Sequence, residues 1–243
     1  MRSEETGDRN QESGRSGHPK PLRARPLLAG IAVSLVASAV FGEIARNALT
    51  EGPLVALDKT IAQEMMEATK DHAILRPIMI AMTQSGGIAA MTFLVVLGVV
   101  WQGWRGRGKG RVAIGWALIV IGGALVNQAV KTALQRERPP PEWRDRVVSE
   151  TNESFPSGHA MGGTIGIGLL GYALMLKDRH WRSKLFIVLG LGAWVISIGA
   201  SRIYLRAHWF SDVLGGFTLG LAWLSLGLGI LETWRRKGVR SEE

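Results

Sequence analysis

The sequence contains no cysteine. Disulfides and thiolate metal sites are therefore excluded, and the redox state of the compartment is left open. Acid is also scarce: 20 Asp and Glu stand against 29 Lys and Arg, a formal charge of +9. A basic surplus can signal nucleic-acid binding, but that reading needs the cations gathered on a soluble face. Here they sit in short clusters between apolar blocks, which fits orientation in a membrane and no nucleic-acid partner. There is no internal repeat, and no acidic cluster of the kind that cages a metal ion. A secretory signal is not evident either. The first apolar block begins only at Leu27, is too long for a signal core and lacks a small-residue cleavage site.

What is abundant is long apolar sequence. Hydrophobic residues make up 47% of the chain and come in blocks rather than at the periods of a soluble domain. A helix needs about 20 such residues to cross the hydrocarbon core. Leu27–Ile44 meets that length, as do Ile78–Trp101 (with a break near Gly86–Gly87), 112–134, 159–177, 185–203 and 209–231. Between the first two, residues 49–76 place Leu54, Leu57, Ile61, Met65 and Met66 at helical spacing among charged positions. This predicts an amphipathic helix at the interface. The expected fold is all-α: a polytopic membrane protein of about six transmembrane helices in a bundle, with one interfacial amphipathic helix.

Orientation follows from Lys and Arg in the short connections. Four clusters fall on one side when the crossings are counted: Lys20, Arg23 and Arg25; Arg105, Arg107, Lys109 and Arg111; Lys177, Arg179, Arg182 and Lys184; and Arg235, Arg236, Lys237 and Arg240. That side is expected to be the cytoplasm, with both termini on it. The opposite side then carries 49–77, 135–158 and 203–208, where acids and bases roughly balance. Trp101, Trp104, Trp181, Trp209 and Trp234 lie near span ends, where amphipathic rings settle at headgroup level.

Three outward segments can carry chemistry. Lys131 and Arg138-Pro139 are seven residues apart, about two helical turns, so both cations can point the same way and clamp a phosphate. Alone, the pair reads first as interfacial snorkelling. Pro156-Ser157-Gly158-His159 directly precedes a span. Ser157 fits an N-cap, so the helix start would offer unpaired N–H groups to an anion, with Gly158 allowing close approach and His159 at hand as a proton donor. An ordinary capped helix with an interfacial histidine fits equally well. Ser201-Arg202 is followed by His208 and Asp212, four apart and hence on one helical face. A carboxylate there can accept the Nδ1 proton and leave Nε2 free to attack. Asp212, inside the start of a span, is expensive without a partner.

In order, these segments match Lys-x6-Arg-Pro, Pro-Ser-Gly-His and Ser-Arg-x5-His-x3-Asp, and the sequence resembles the type 2 phosphatidic acid phosphatase family over about 110–231. The resemblance implies a membrane phosphatase domain over 26–234, flanked by a disordered cytoplasmic tail (1–25) and a second tail (235–243). It implies a metal-independent enzyme without cofactor, working on a lipid phosphate in the bilayer: phosphatidate, phosphatidylglycerophosphate or a polyprenyl pyrophosphate such as undecaprenyl pyrophosphate. His208 would be the nucleophile of a phosphohistidine intermediate, Asp212 would orient it, and His159 would protonate the leaving group. Lys131, Arg138, Ser157, Gly158 and Arg202 would bind the phosphate. The expected location is the bacterial cytoplasmic membrane, with the active site extracytoplasmic. A phosphotransferase using the same histidine is the near alternative. A soluble vanadium haloperoxidase shares the motifs but not the spans. A transporter with a phosphate site would show paired discontinuous helices, and no such pairing is present. Asn127 and Gln128, one turn before Lys131, suit either a supporting role or a helix interface; Glu43 and Arg46 suit an entrance or, more simply, an ion pair. His18, His72 and His180 lie away from the motifs.

Overall fold

A computed structural model describes residues 25–71, 74–103, 109–177 and 180–240. They form eight helices: α1 (Arg25–Leu49), α2 (Pro53–Asp71), α3 (Leu75–Ser85), α4 (Ile88–Gly103), α5 (Lys109–Leu134), α6 (Gly158–Lys177), α7 (Trp181–Tyr204) and α8 (Phe210–Arg240). There is no strand among the described residues. The tail expected over 1–25 lies outside them except for Arg25, as do Lys20, Arg23, Arg105, Arg107 and Arg179 of the basic clusters, Trp104, His18 and His72.

Five helices are long and apolar enough to cross a bilayer: α1, α5, α6, α7 and α8. α3 and α4 pass the same test only as a pair, bent by 52° at the expected glycine pair, which makes up to six crossings among the described residues. Their outer faces carry exposed side chains such as Leu35, Leu118 and Phe186, between 62% and 73% accessible. Such a surface suits lipid, where apolar side chains need no cover and each helix satisfies its own backbone.

Without a hydrophobic drive between helices in lipid, packing depends on close fit. The innermost helix is α6, which touches α4, α5, α7 and α8. Its Met161, Ile165, Leu169 and Ala173 pack with Trp116 and Ile119 of α5 and with Leu224 and Leu231 of α8. α1 runs along α8. There a Cβ on Gly30 would stand 3.1 Å from the Gly229 Cα, so only small residues admit this backbone approach.

The amphipathic segment is helix α2, packed on α1, α7 and α8. It buries Asp58 and Ala62. At its end of the bundle the three segments expected to share one side meet directly. Arg76 of α3 donates twice to Asp145 at 2.8 Å. Arg206, after α7, donates to the Met65 carbonyl at 3.2 Å, to Thr69 Oγ1 at 3.0 Å and to the Trp143 carbonyl. The Ser157 N–H donates to the Asp212 carbonyl at 2.9 Å.

Candidate active site

The Lys131–Arg138 pair converges by a different route from the one its spacing suggests. α5 stops at Leu134, and Gln135 takes φ 47°, a left-handed conformation that ends helices. Arg138 also precedes a proline, which disfavours the helical region. It therefore lies in the linker rather than on a helix face. Lys131, buried at the end of α5, donates to the Glu153 carbonyl and, at 3.5 Å, to that of Ser154. Arg138 is held by the Asn152 carbonyl at 2.6 Å, Asn152 Oδ1 at 2.7 Å and the Ala207 carbonyl at 2.8 Å. The Nη1 that donates to Ala207 also faces His208 Nε2, at 3.4 Å.

His208 and Asp212 also differ from the spacing argument. α8 begins at Phe210, so His208 belongs to the turn before it, and Asp212 reaches back from the first helical turn. Asp212 Oδ2 accepts the Trp209 N–H at 2.8 Å, as the third residue of a capping box does, and a carboxylate there is favoured by the helix dipole. His208 Nδ1 stands 3.4 Å from Asp212 Oδ2 and 3.3 Å from Ser154 Oγ. Ser154 in turn donates to Asp212 Oδ2. The chain of donors is thus Nδ1–H to Ser154 to Asp212, with the Nε2 lone pair turned towards Arg138. His208 is buried. Burial first, and then the cations Arg202, Arg138 and Lys131, push its pKa well below the ordinary histidine value, so the free imidazole is neutral.

Arg202, near the end of α7, is buried and spreads its guanidinium between Thr83 Oγ1 (2.7 Å) and Glu150 (2.5 Å). Its Nε has no hydrogen-bond partner among the described residues, so it can still take an acceptor from water or a ligand. Burial pushes the Glu150 carboxyl up, but the Arg202 and Arg138 charges outweigh it and hold it at about 2. Ser157 precedes α6 as expected, with its Oγ 3.5 Å from the Ala160 N–H. Lys131, Arg138, Gly158, His159 and His208 line one cavity of about 530 Å³, together with Glu150 and Asn152. Ser157, Arg202 and Asp212 support its walls from behind: Arg202 holds the lining residue Glu150, Asp212 lies against His208, and Ser157 directly precedes Gly158. All eight expected site residues therefore meet at one end of the bundle.

Asn127 and Gln128 line the same cavity, and Asn127 also lies 3.4 Å from Met161 Sδ. Glu43 and Arg46 form an exposed ion pair at 2.5 Å. Among the described residues, no three His, Asp or Glu side chains gather as metal ligands. Sequence reasoning missed Ser154, Glu150, Arg136 and Asp58. Arg136 donates to Asp212 Oδ1 at 2.6 Å and to Asp58 Oδ2 at 2.7 Å. A signal for Asp58 was available: it falls on the apolar stripe of α2, one turn after Leu54 and just before Ile61.

Comparison with known proteins bears on the family and the fold. The phosphatidylglycerophosphatase B of Bacillus subtilis (strain 168) is 35% identical over 124 residues, which cover 49% of this chain and 58% of that protein. The chain thus spans little more than half the length of that relative. A protein of Escherichia coli (strain K12) named as an undecaprenyl-diphosphatase, YbjG, is 26% identical over 185 residues, or 71% of this chain and 87% of that one. The crystal structure of a transmembrane PAP2-type phosphatidylglycerolphosphate phosphatase from Bacillus subtilis shares the fold, with a TM-score of 0.71 at 23% identity, covering 84% of this chain and 96% of that one. The family model of the PAP2 superfamily matches residues 111–236, from α5 through most of α8 and across all three motifs. On that match, which takes in more than half of the sequence, the chain belongs to the PAP2 superfamily.

Proposed function

We propose that this chain is a membrane lipid phosphatase that hydrolyses a phosphomonoester or pyrophosphate of a lipid through a phosphohistidine at His208, on the extracytoplasmic face. The observation that carries this reading is the continuity of the cavity. Cations and both histidines line it, and so do apolar side chains such as Ile88, Val95, Leu125 and Ile165. A phosphate headgroup suits the former and an apolar chain the latter. The names of the relatives, a phosphatidylglycerophosphatase and an undecaprenyl-diphosphatase, point to the same substrate class.

In the first step, Nε2 of neutral His208 attacks phosphorus. The P–N bond forms as the bond to the leaving oxygen breaks, and His159 gives that oxygen its proton. Charge on the transferred group is met by Lys131, Arg138 and the Gly158 N–H, which line the cavity, with Arg202 and Ser157 adjoining them behind its wall. The Nδ1 proton stays on the path to Ser154 and Asp212, which stabilises the charge the ring acquires. In the second step water attacks the phosphohistidine while His159 takes a proton from it; the P–N bond breaks, phosphate leaves, and both histidines return to their starting states.

The test is a panel of phosphatidylglycerophosphate, phosphatidate and undecaprenyl pyrophosphate in detergent, with EDTA present and no acceptor alcohol. Release of free phosphate from at least one of them is expected. Release that depends on added Mg²⁺ would contradict the metal-independent mechanism, and release that depends on an added alcohol would make the enzyme a phosphotransferase.

A further inference from the structure

The turn that presents His208 is gripped from outside the three motifs. Asp58 of α2 is buried to 1% accessibility, in a helix that is not one of the spans. Its Oδ1 accepts the Ser211 N–H at 2.8 Å, and its Oδ2 accepts the Ser211 hydroxyl at 2.5 Å. Ser211 is the second residue of α8, so its N–H is one that the helix itself leaves unpaired. Asp58 therefore caps α8 from a helix more than 150 residues away in sequence. The same Oδ2 accepts a bond from Arg136, whose other nitrogen serves Ser211 Oγ at 2.7 Å and Asp212 Oδ1 at 2.6 Å. Neither Asp58 nor Arg136 lines the cavity.

We propose that Asp58, acting through Arg136 and Ser211, is a positioning residue for Asp212 and His208, so that α2 is part of the catalytic apparatus. This rests on the phosphatase reading above. Two carboxylates flank one guanidinium, an arrangement in which each fixes the place of the other two. With Oδ1 of Asp212 tied to Arg136, only Oδ2 remains for Ser154, the Trp209 N–H and His208 Nδ1. The orientation of the imidazole is thereby set by a charge on another helix. An isosteric amide at position 58 keeps one acceptor but loses the charge that shares Arg136. The guanidinium is then free to draw Asp212 away from the histidine.

A purely structural ion pair would predict reduced stability with normal turnover. The positioning role predicts the reverse emphasis. In folded Asp58→Asn, kcat should fall on the order of 10²-fold, the loss expected when reacting groups are misplaced by about 1 Å. KM should stay within about threefold, because the residue touches no part of the cavity. Single-turnover formation of the phosphoenzyme should slow by the same factor as kcat. Asp58→Glu should recover part of the rate. Arg136→Lys should lose a similar factor, and the double variant should lose no more than the worse single one, since the two act as a unit. Wild-type protein and His208→Ala are measured alongside. If the wild type forms no phosphoenzyme, the phosphatase reading itself fails. If it does and folded Asp58→Asn turns over within twofold of it, or if the double losses multiply, only the positioning role fails. Failure of every substitution at 58 and 136 to give folded protein would likewise assign these residues to structure and overturn the proposal.

Discussion

His208 is a buried base among cations, and that has a measurable consequence. Burial first, then Arg202, Arg138 and Lys131, lower its pKa in the folded protein. As pH falls, the unfolded chain takes up the proton before the folded one does. His208 therefore has no effect on stability well above the ordinary histidine pKa of about 6.5, and it destabilises progressively below it. Where the unfolded imidazole is protonated and the folded one is not, the loss approaches about 1.4 kcal/mol per pH unit. Thermal unfolding in detergent between pH 7.5 and 5 should show the midpoint falling faster for the wild type than for His208→Gln. Parallel curves would show that the folded protein does not hold His208 neutral. Each motif names side-chain types at fixed intervals, and the structure brings all eight to one end of the bundle, five of them lining the cavity. Ser154 stayed hidden because its role arises from a hydroxyl standing between His208 and Asp212, and no spacing rule reports that.

Among the elements, the spans were legible because the hydrocarbon core imposes a length on them. The break at Gly86–Gly87 was visible too, since two adjacent glycines interrupt an otherwise apolar run. Helix ends were not. The seven-residue interval from Lys131 to Arg138 reads as two turns, yet Gln135 closes α5 and the proline-rich linker carries Arg138 to the site. His208 and Asp212 have the interval of one helical face, but only Asp212 is helical. In both cases the functional groups converge through a turn, whose geometry depends on distant partners such as the Arg206 clasp on α2. The apolar stripe of α2 makes it legible as an amphipathic helix at the interface. Its buried Asp58 makes it a cap for α8, a long-range contact that periodicity does not encode.

For the whole molecule, the structure brings the three motif segments together at one end of the bundle, and the side that end faces is a separate question of charge. The cationic clusters argue for cytoplasmic termini and an extracytoplasmic site. The absence of native cysteine makes this directly testable. A single cysteine at Arg146 should react with a membrane-impermeant maleimide in intact cells, and one at Gly108 only after lysis. The opposite pattern would place the site in the cytoplasm. The chemistry is tested most directly by trapping the intermediate. Purified protein is mixed with phosphatidylglycerophosphate, or undecaprenyl pyrophosphate, labelled in the phosphate that is released, and quenched within one turnover. The account predicts a labelled protein whose phosphate is lost in acid and retained in base, and predicts no such label in His208→Ala. Phosphate release by the wild type with no acid-labile label at any time, or label retained in His208→Ala, would contradict it.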